Sequence, residues 1–156
     1  MRRIILLAVM LLFTNIASAD GNGYTMNSYG TWTVLDTEIN TMYMEAQSGS
    51  KKNLIECRMG EWIAGGNFNG VFRNSIDDET ITLVIDGYQY AIPKTPSEKE
   101  SMWKLISSER TQYIAFHSKV YGKTPAIPLN GLTQYLQGQD FYKSNCYVTR
   151  EMRDSQ

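Results

Sequence analysis

Two cysteines far apart in the chain constrain its fold more than any other feature. Cys57 and Cys146 are the only two among 156 residues, and they are 89 positions apart. In an oxidising compartment an even count predicts one intramolecular disulfide, which ties an early strand to the end of the domain. Two free thiols or an intermolecular bridge are the alternatives. A metal site needs further ligands, and His117 is the only histidine.

The first nineteen residues predict export to an oxidising compartment. Two arginines precede an apolar run over residues 4–13, and Ala17-Ser18-Ala19 supplies the small residues that signal peptidase accepts. At about 1.5 Å per residue, this run is about half as long as a bilayer's hydrocarbon core is thick. We therefore expect a signal peptide cleaved after Ala19, no stable membrane anchor, and a soluble periplasmic protein. A buried core helix is the alternative for this segment.

The rest of the chain suits a single domain. Residues 20–30 are rich in glycine and asparagine and predict a flexible leader, residues 31–149 predict one β-rich domain, and residues 150–156 predict a loose tail. The sequence has 15 basic and 16 acidic residues, and cleavage would remove two of the basic ones. A weakly acidic chain without a basic block argues against nucleic acid or anionic lipid as a partner.

Alternating apolar residues predict antiparallel strands in the first half of the domain. Residues 32–35 and 42–47 form the first two strands, followed by a surface hairpin loop over residues 48–53. The return strand over residues 54–59 places Cys57 on its apolar face, in or beside the core. Glycines at positions 60, 65, 66 and 70 predict short, bent or bulged strands over residues 60–72.

The hairpin around Asp86-Gly87 is the most strongly determined element. A two-residue Asp-Gly loop favours a type I′ turn, which pairs residue 85 with 88, 83 with 90 and 81 with 92. This register places six apolar residues on one face: Ile81, Leu83, Ile85, Tyr88, Tyr90 and Ile92.

Helix signals follow this hairpin. Thr95, Pro96 and Glu98 predict a capping box at the start of a helix that runs to about Ser108, with Lys99 and Glu100 on the solvent side.

Further along, a half-buried strand is predicted over residues 113–121. A short helix capped by Asn130 ends at Gly138, and a final strand covers residues 146–149. The expected fold is mainly β: an antiparallel β-sandwich or curved sheet with one amphipathic helix, one short helix and a single disulfide.

Motifs of catalysis and metal binding are sparse. His117 lies on a predicted strand with no nucleophile motif beside it, so it is either a candidate catalytic base or a partly exposed strand residue. The run Asp77-Asp78-Glu79 lacks the spaced ligands of a calcium loop and favours a solvated turn over a cation site. We predict no catalytic, cofactor-binding or metal-binding residues.

Surface loops supply the candidate partner-binding residues. These residues lie in the 48–53 loop and the 77–79 turn, and they are Ser48, Lys51, Lys52, Asp77 and Asp78. The ten tyrosines and three tryptophans either line a partner surface or fill the core.

Several segments together resemble a known family. They are Trp32 with the Asp36-bearing turn, the strand Leu54-Ile55-Glu56-Cys57-Arg58, the strand end Val84-Ile85-Asp86, the Trp103 helix, Pro128-Leu129-Asn130-Gly131-Leu132, Leu136 and Cys146. In these segments the chain resembles the VasI/TagO-like accessory proteins found beside bacterial type VI secretion systems, over about residues 32–147. It departs from them at Tyr147, where the family tends to have tryptophan, and in the longer spacing from Leu136 to Cys146. Exported proteins of the invasion-associated locus B type are similar in outline.

The resemblance implies the β-rich fold, the disulfide and an accessory role in secretion, and it transfers no catalytic residues. Together with predicted export, it leads us to expect a non-enzymatic module without a cofactor. Such a module binds an envelope or secreted protein (a toxin, a hydrolase or a secretion component) or cell-wall material. One alternative is an immunity or inhibitor protein against a toxin or wall hydrolase. Another is a small hydrolase that uses His117.

Overall fold

The computed structural model describes residues 18–20, 24–37, 41–49 and 51–155. The predicted signal peptide lies outside the described residues except for its last two positions. Ser18–Asp20 forms a short strand that spans the predicted cleavage point. None of the described helices is both long and apolar enough to cross a bilayer.

The first sheet is a seven-stranded meander in which each strand pairs antiparallel with the next along the chain. Its strands are β1 (Ser18–Asp20), β2 (Tyr24–Tyr29), β3 (Trp32–Thr37), β4 (Thr41–Ser48), β5 (Lys51–Arg58), β6 (Glu61–Phe68) and β7 (Val71–Asn74).

The second sheet has five strands and is also antiparallel. They are β8 (Thr82–Ile85), β9 (Tyr88–Tyr90), β10 (Tyr113–Ser118), β11 (Gly122–Lys123) and β12 (Ile127–Pro128). Helices α1 (Pro96–Ile106), α2 (Asn130–Gln137) and α3 (Arg150–Asp154) and a 3-10 turn (Phe141–Lys143) complete the described elements. The predicted mainly β fold with antiparallel sheets and one long and one short helix is confirmed.

Period-two alternation builds the core face of the first sheet. The register aligns Val34, Met44, Ile55 and Ala64 in one row across four strands, and all four are buried. The same buried cluster includes residues of the second sheet, α1 and α2, among them Leu83, Phe116, Ile106 and Leu132. Both sheets and both longer helices therefore share one core.

The Asp-Gly turn and the capping box form as predicted, but the predicted pair of residues 81 and 92 does not, because β8 begins at Thr82 and β9 ends at Tyr90. Leu83 pairs with Tyr90 and Ile85 with Tyr88, and the turn residues have φ of 48° at Asp86 and 90° at Gly87. Thr95 and Glu98 form both capping-box hydrogen bonds at the start of α1. Tyr88 differs from the prediction because it is 71% exposed: β9 is the edge strand of its sheet.

The flexible leader predicted over residues 20–30 and the loose tail predicted over residues 150–156 are corrected where the structure describes regular elements; residues 21–23 and 156 lie outside the described residues. Tyr24–Tyr29 is not a flexible leader but strand β2, paired along its whole length with β3. Asn27 and Tyr29 pair with the core residues Val34 and Trp32 and lie on the same face of the sheet. Because most residues of β2 are polar, the sequence does not show this alternation as a pattern of apolar residues. At the other end, Thr149 caps α3 within the segment predicted to be a loose tail.

Two predictions in the first sheet are also corrected. Residues 51–53 are not part of a surface loop but begin β5, and Asn53 is fully buried, donating to Ile114 O at 3.3 Å. Residues 61–68 form one long strand and not a series of bulges. Gly66 lies inside it because a Cβ there would come within 2.7 Å of Asn53 Oδ1. The glycine permits close contact between strands.

Smaller corrections concern the C-terminal half. Residues 146–149 form no strand, since the N–H groups of Tyr147 and Val148 both donate to Ser144 O in a turn. Leu129, not Asn130, occupies the N-cap of α2. The strand predicted to reach residue 121 ends at Ser118, whose hydroxyl accepts from two N–H groups of the following turn.

Lys99 is 9% exposed and not on the solvent side of α1. It lies on the buried face because its spacing to Met102, Trp103 and Ile106 is helical.

Candidate functional site

The structure places the predicted partner-binding lysines on a regular strand. Ser48 ends β4 and pairs with Lys51, which begins β5. Lys52 lies in β5, where its Nζ is 2.6 Å from Glu45 Oε2 and 5.3 Å from the centre of the Phe72 ring. Lys52 is held against the sheet surface, and Lys51 remains exposed.

Asp77 and Asp78 have different environments. Asp77 is exposed, whereas Asp78 is 8% exposed and accepts hydrogen bonds from Ser118 Oγ and from Thr80 N and Oγ1. These bonds, that of Ser118 first, lower the pKa of the Asp78 carboxyl. Asp78 therefore ties its turn to β10, which is a structural role.

His117, the candidate base, lies half-buried in β10. It pairs with Thr82 of β8 and Lys123 of β11, and its carbonyl accepts from Thr82 Oγ1 at 3.3 Å.

The structure brings a different set of polar residues together. A cleft of about 380 Å³ opens where β2 and β3 meet α2 and the C-terminal segment. We call it the Asp36 cleft, and it is lined by Asn27, Tyr29, Asp36, Thr37, Tyr135, Gln139, Lys143, Ser144, Asn145 and Arg153. His117 and the five residues predicted to contact a partner are not among them.

Strand periodicity places Asp36 in this cleft. Trp32, Val34 and Asp36 follow each other at period two, so Asp36 shares the core face of β3 with two fully buried residues. It pairs with Met42, which pairs with Cys57 in the next strand. Asp36 is thus a carboxyl group at the margin of the hydrophobic core.

The C-terminal segment closes the cleft from the other side. Cys146 forms the disulfide with Cys57, and both cysteines are fully buried. Trp62 Nε1 donates to Cys146 O at 2.9 Å, and Gly60 N donates to Asn145 O at 2.8 Å. The covalent bond and these hydrogen bonds hold Asn145 in place beside the first sheet.

Asn145 then joins the two sides of the cleft. Its Nδ2 donates to Asp36 Oδ1 and to Thr37 O, both at 2.9 Å, and its Oδ1 accepts from the Arg153 guanidinium. One amide therefore connects a carboxylate on β3 with a cation on α3, and its orientation is fixed by partners on both sides.

Burial has the largest effect on the pKa of Asp36 and raises it. The hydrogen bonds from Asn145 and Tyr135 and the positive charge of Arg153 oppose this effect but do not cancel it. Burial and then the Asp36 charge raise the pKa of Tyr135. Tyr135 therefore remains a neutral hydroxyl donor, 3.5 Å from Asp36 Oδ2. A concave site with a perturbed carboxyl group is the usual character of a binding or active site.

From the sequence, Asp36 stands out only within the family resemblance, and Asn145, Tyr135 and Arg153 are not predicted as site residues. A signal for Asp36 was present: an acidic residue continues the buried alternation that Trp32 and Val34 begin. For Asn145, the only sequence feature that could have indicated a role in the site is its position next to Cys146.

Changing Asp36 should alter the pH dependence of stability. Because the folded state holds this proton more tightly than the unfolded chain, stability from this group is present below its ordinary pKa of 3.8 and is lost as pH rises through its raised value. Relative to Asp36→Asn, the wild type should therefore lose free energy of unfolding as the pH rises from 3.8 through the raised pKa of Asp36. Urea titrations of both proteins across this range measure the difference. A difference that is constant with pH would contradict the assignment.

Other clefts have less defined polar geometry. One of about 700 Å³ lies between β6, residues 75–79 and the start of α1, and its charged walls include the exposed Glu61 and Lys94. In the described part of the chain, no group of three or more histidine, cysteine, aspartate or glutamate residues is placed to hold a metal ion. The Asp36 cleft combines a desolvated carboxyl group, fixed donors and cations, so we take it as the candidate site.

Comparison of the chain with protein-family models, curated proteins and solved structures found no match to any of them.

Proposed function

We propose that this protein is an exported, non-enzymatic binding module of the bacterial envelope, and that the Asp36 cleft contacts its ligand or partner. The single observation that carries the proposal is the fixed arrangement around Asn145. Its amide is held by Asp36 and Arg153, and its neighbour Cys146 is held by the disulfide. Groups fixed before binding lose little entropy on contact, which favours recognition.

The setting of this function is inferred from the sequence. The N-terminal signal supports export, and a buried disulfide suits the oxidising periplasm. The resemblance to type VI secretion accessory proteins supports a role beside a secretion machine.

The Asp36 cleft favours the binding module over its alternatives. An inhibitor needs a protruding segment to enter an active site, but residues 51–53 belong to a strand and Asp78 bonds within its own turn. A hydrolase would use His117, which is not among the residues that line the cleft. Neither alternative has an observation of its own in its favour.

Capture from a periplasmic extract tests the proposal. Immobilised wild-type protein should retain a partner or wall fragment that the double variant Asp36→Asn/Arg153→Gln retains at least about tenfold less, because both charged groups of the cleft are lost. The matched control is Glu109→Gln/Arg110→Gln, which makes the same charge changes at exposed residues between α1 and β10. Circular dichroism checks that all three proteins are folded. Equal retention by wild type and cleft variant, or no retention by wild type, would overturn the proposal.

A further inference from the structure

The Asp36 cleft holds opposite charges that do not neutralise each other. Among the described residues the structure has no direct ion pair between Asp36 and Arg153. The Asn145 amide stands between them, donating to Asp36 Oδ1 with its nitrogen and accepting from Arg153 with its oxygen. A neutral spacer of this kind keeps an anion and a cation apart at a fixed separation, and each keeps bonding capacity for a third group.

Both charged groups have such capacity. Asp36 Oδ1 is bonded to Asn145, but Oδ2 has only the long 3.5 Å contact from the Tyr135 hydroxyl among the described residues. Arg153 offers five N–H donors in a planar fork, of which Nη2 bonds Asn145, and the side chain is partly exposed. Lys143 adds a second, exposed cation at the rim.

Aromatic rings form the wall next to Asp36. The rings of Tyr29 and Tyr135 lie 5.1 Å apart, tilted by 51°, and Tyr135 is almost fully buried while Tyr29 is partly exposed. The Tyr135 hydroxyl reaches Asp36, so the cleft holds aromatic rings and a carboxylate together, and both attract a cation such as an ammonium group. The opposite side, with Arg153 and Lys143, suits a carboxylate.

We infer that the Asp36 cleft, lined by the Tyr29 and Tyr135 rings, binds a zwitterionic peptide end: a ligand whose ammonium contacts Asp36 Oδ2 and whose carboxylate contacts Arg153. This deepens the proposed function and rests on it, since it names the ligand class of the same cleft. The termini of a dipeptide lie at most about 7 Å apart, a span that fits groups separated by a single amide and its two hydrogen bonds. A volume of about 380 Å³ is within the range of small-molecule sites.

Titration of the full mature protein with simple dipeptides, followed by NMR chemical shifts, tests the inference. L-alanyl-L-alanine should bind, and its N-acetylated and C-amidated forms should each bind at least about tenfold more weakly, because each loses one charge-assisted contact. D-alanyl-D-alanine identifies the source: tighter binding of the D form supports a cell-wall peptide, and tighter binding of the L form supports a protein-derived end. If wild type binds none of these peptides, or binds capped and uncapped forms equally, the inference is overturned.

Variants assign each charge to its partner. The affinities of Asp36→Asn for the acetylated and the free dipeptide should differ by less than about threefold, because the carboxylate that recognises the ammonium is gone. Arg153→Gln should do the same for the amidated and free forms, and the exposed control Arg110→Gln should discriminate as the wild type does. If both cleft variants keep the full discrimination, the dipeptide binds elsewhere and the inference is overturned.

The inference can fail without the proposed function. Suppose that capture from the extract depends on Asp36 and Arg153, but that capped and uncapped dipeptides bind equally. The cleft would then remain a binding site, and only the zwitterionic ligand would be rejected. Loss of both results would remove the function as well.

Discussion

Replacing Cys57 or Cys146 by serine should lower the free energy of unfolding by about 4 to 5 kcal/mol, equally for the two variants. In the chain-entropy model, a bond that closes a loop of 89 residues restricts the unfolded chain by about this amount. Both half-cystines are fully buried, so a lone thiol left by either change has no solvent to relax into. Urea denaturation of both variants and of the wild type measures the loss. For a domain of this size, we expect a fall in Tm of about 15 °C.

The double variant Cys57→Ser/Cys146→Ser and the reduced wild type are the matched controls. The two single variants, the double variant and the reduced wild type all lack the same bond, so they should unfold at similar denaturant concentrations. Alkylation of the unreduced wild type should label neither sulfur. Unequal losses for the two single variants would show that one cysteine contributes through packing and not through the bond.

Among glycine-to-alanine changes at the described glycines, Gly131→Ala should lower stability the most. Gly131 is the second residue of α2, and a Cβ at this position would lie 1.9 Å from Tyr29 O and 2.5 Å from Tyr29 C. Both are backbone atoms of β2, so the helix and the sheet would have to separate. We expect a loss of about 2 kcal/mol, even though alanine favours helix. Chemical denaturation measures it.

The same change should also weaken binding of the proposed dipeptide ligand, because separation of α2 from β2 moves the Tyr135 ring away from Tyr29. Gly138→Ala is the control at the other end of the helix. There φ is −82° and a Cβ would meet Tyr135 O at 3.4 Å, an ordinary contact. Its stability should change by less than about 0.5 kcal/mol. Equal stability of the Gly131→Ala and Gly138→Ala variants would contradict the close approach of α2 to β2.

Elements with local causes were predictable from the sequence. The Asp86-Gly87 turn requires two residues with positive φ, and the helix start at Thr95 requires a capping side chain three residues from Glu98. Two further turns of the first kind were missed. Met59-Gly60 and Asn69-Gly70 also have positive φ at both residues, and they delimit β6 as a single strand.

The candidate site was not predictable in this way because its contacts are not local. Asn145 lies 109 positions from Asp36, and the hydrogen bond between them depends on where the disulfide places the C-terminal segment. Charged residues in predicted loops are visible in the sequence, and the predicted partner-binding residues are of this kind. The cleft instead uses strand and turn residues that only the packing of α2 and the C-terminal segment on the first sheet brings together.

The order of the strands has a consequence for maturation. In the first sheet each strand pairs with its neighbour along the chain, so this sheet can assemble progressively as the chain emerges, N-terminus first. The Cys57 thiol in β5 cannot form its disulfide until Cys146, 89 residues downstream, has been made. Asn145 is the residue before Cys146 and reaches its position in the fold with it. We therefore expect the Cys57–Cys146 bond and the Asp36 cleft to be completed together, at the end of folding.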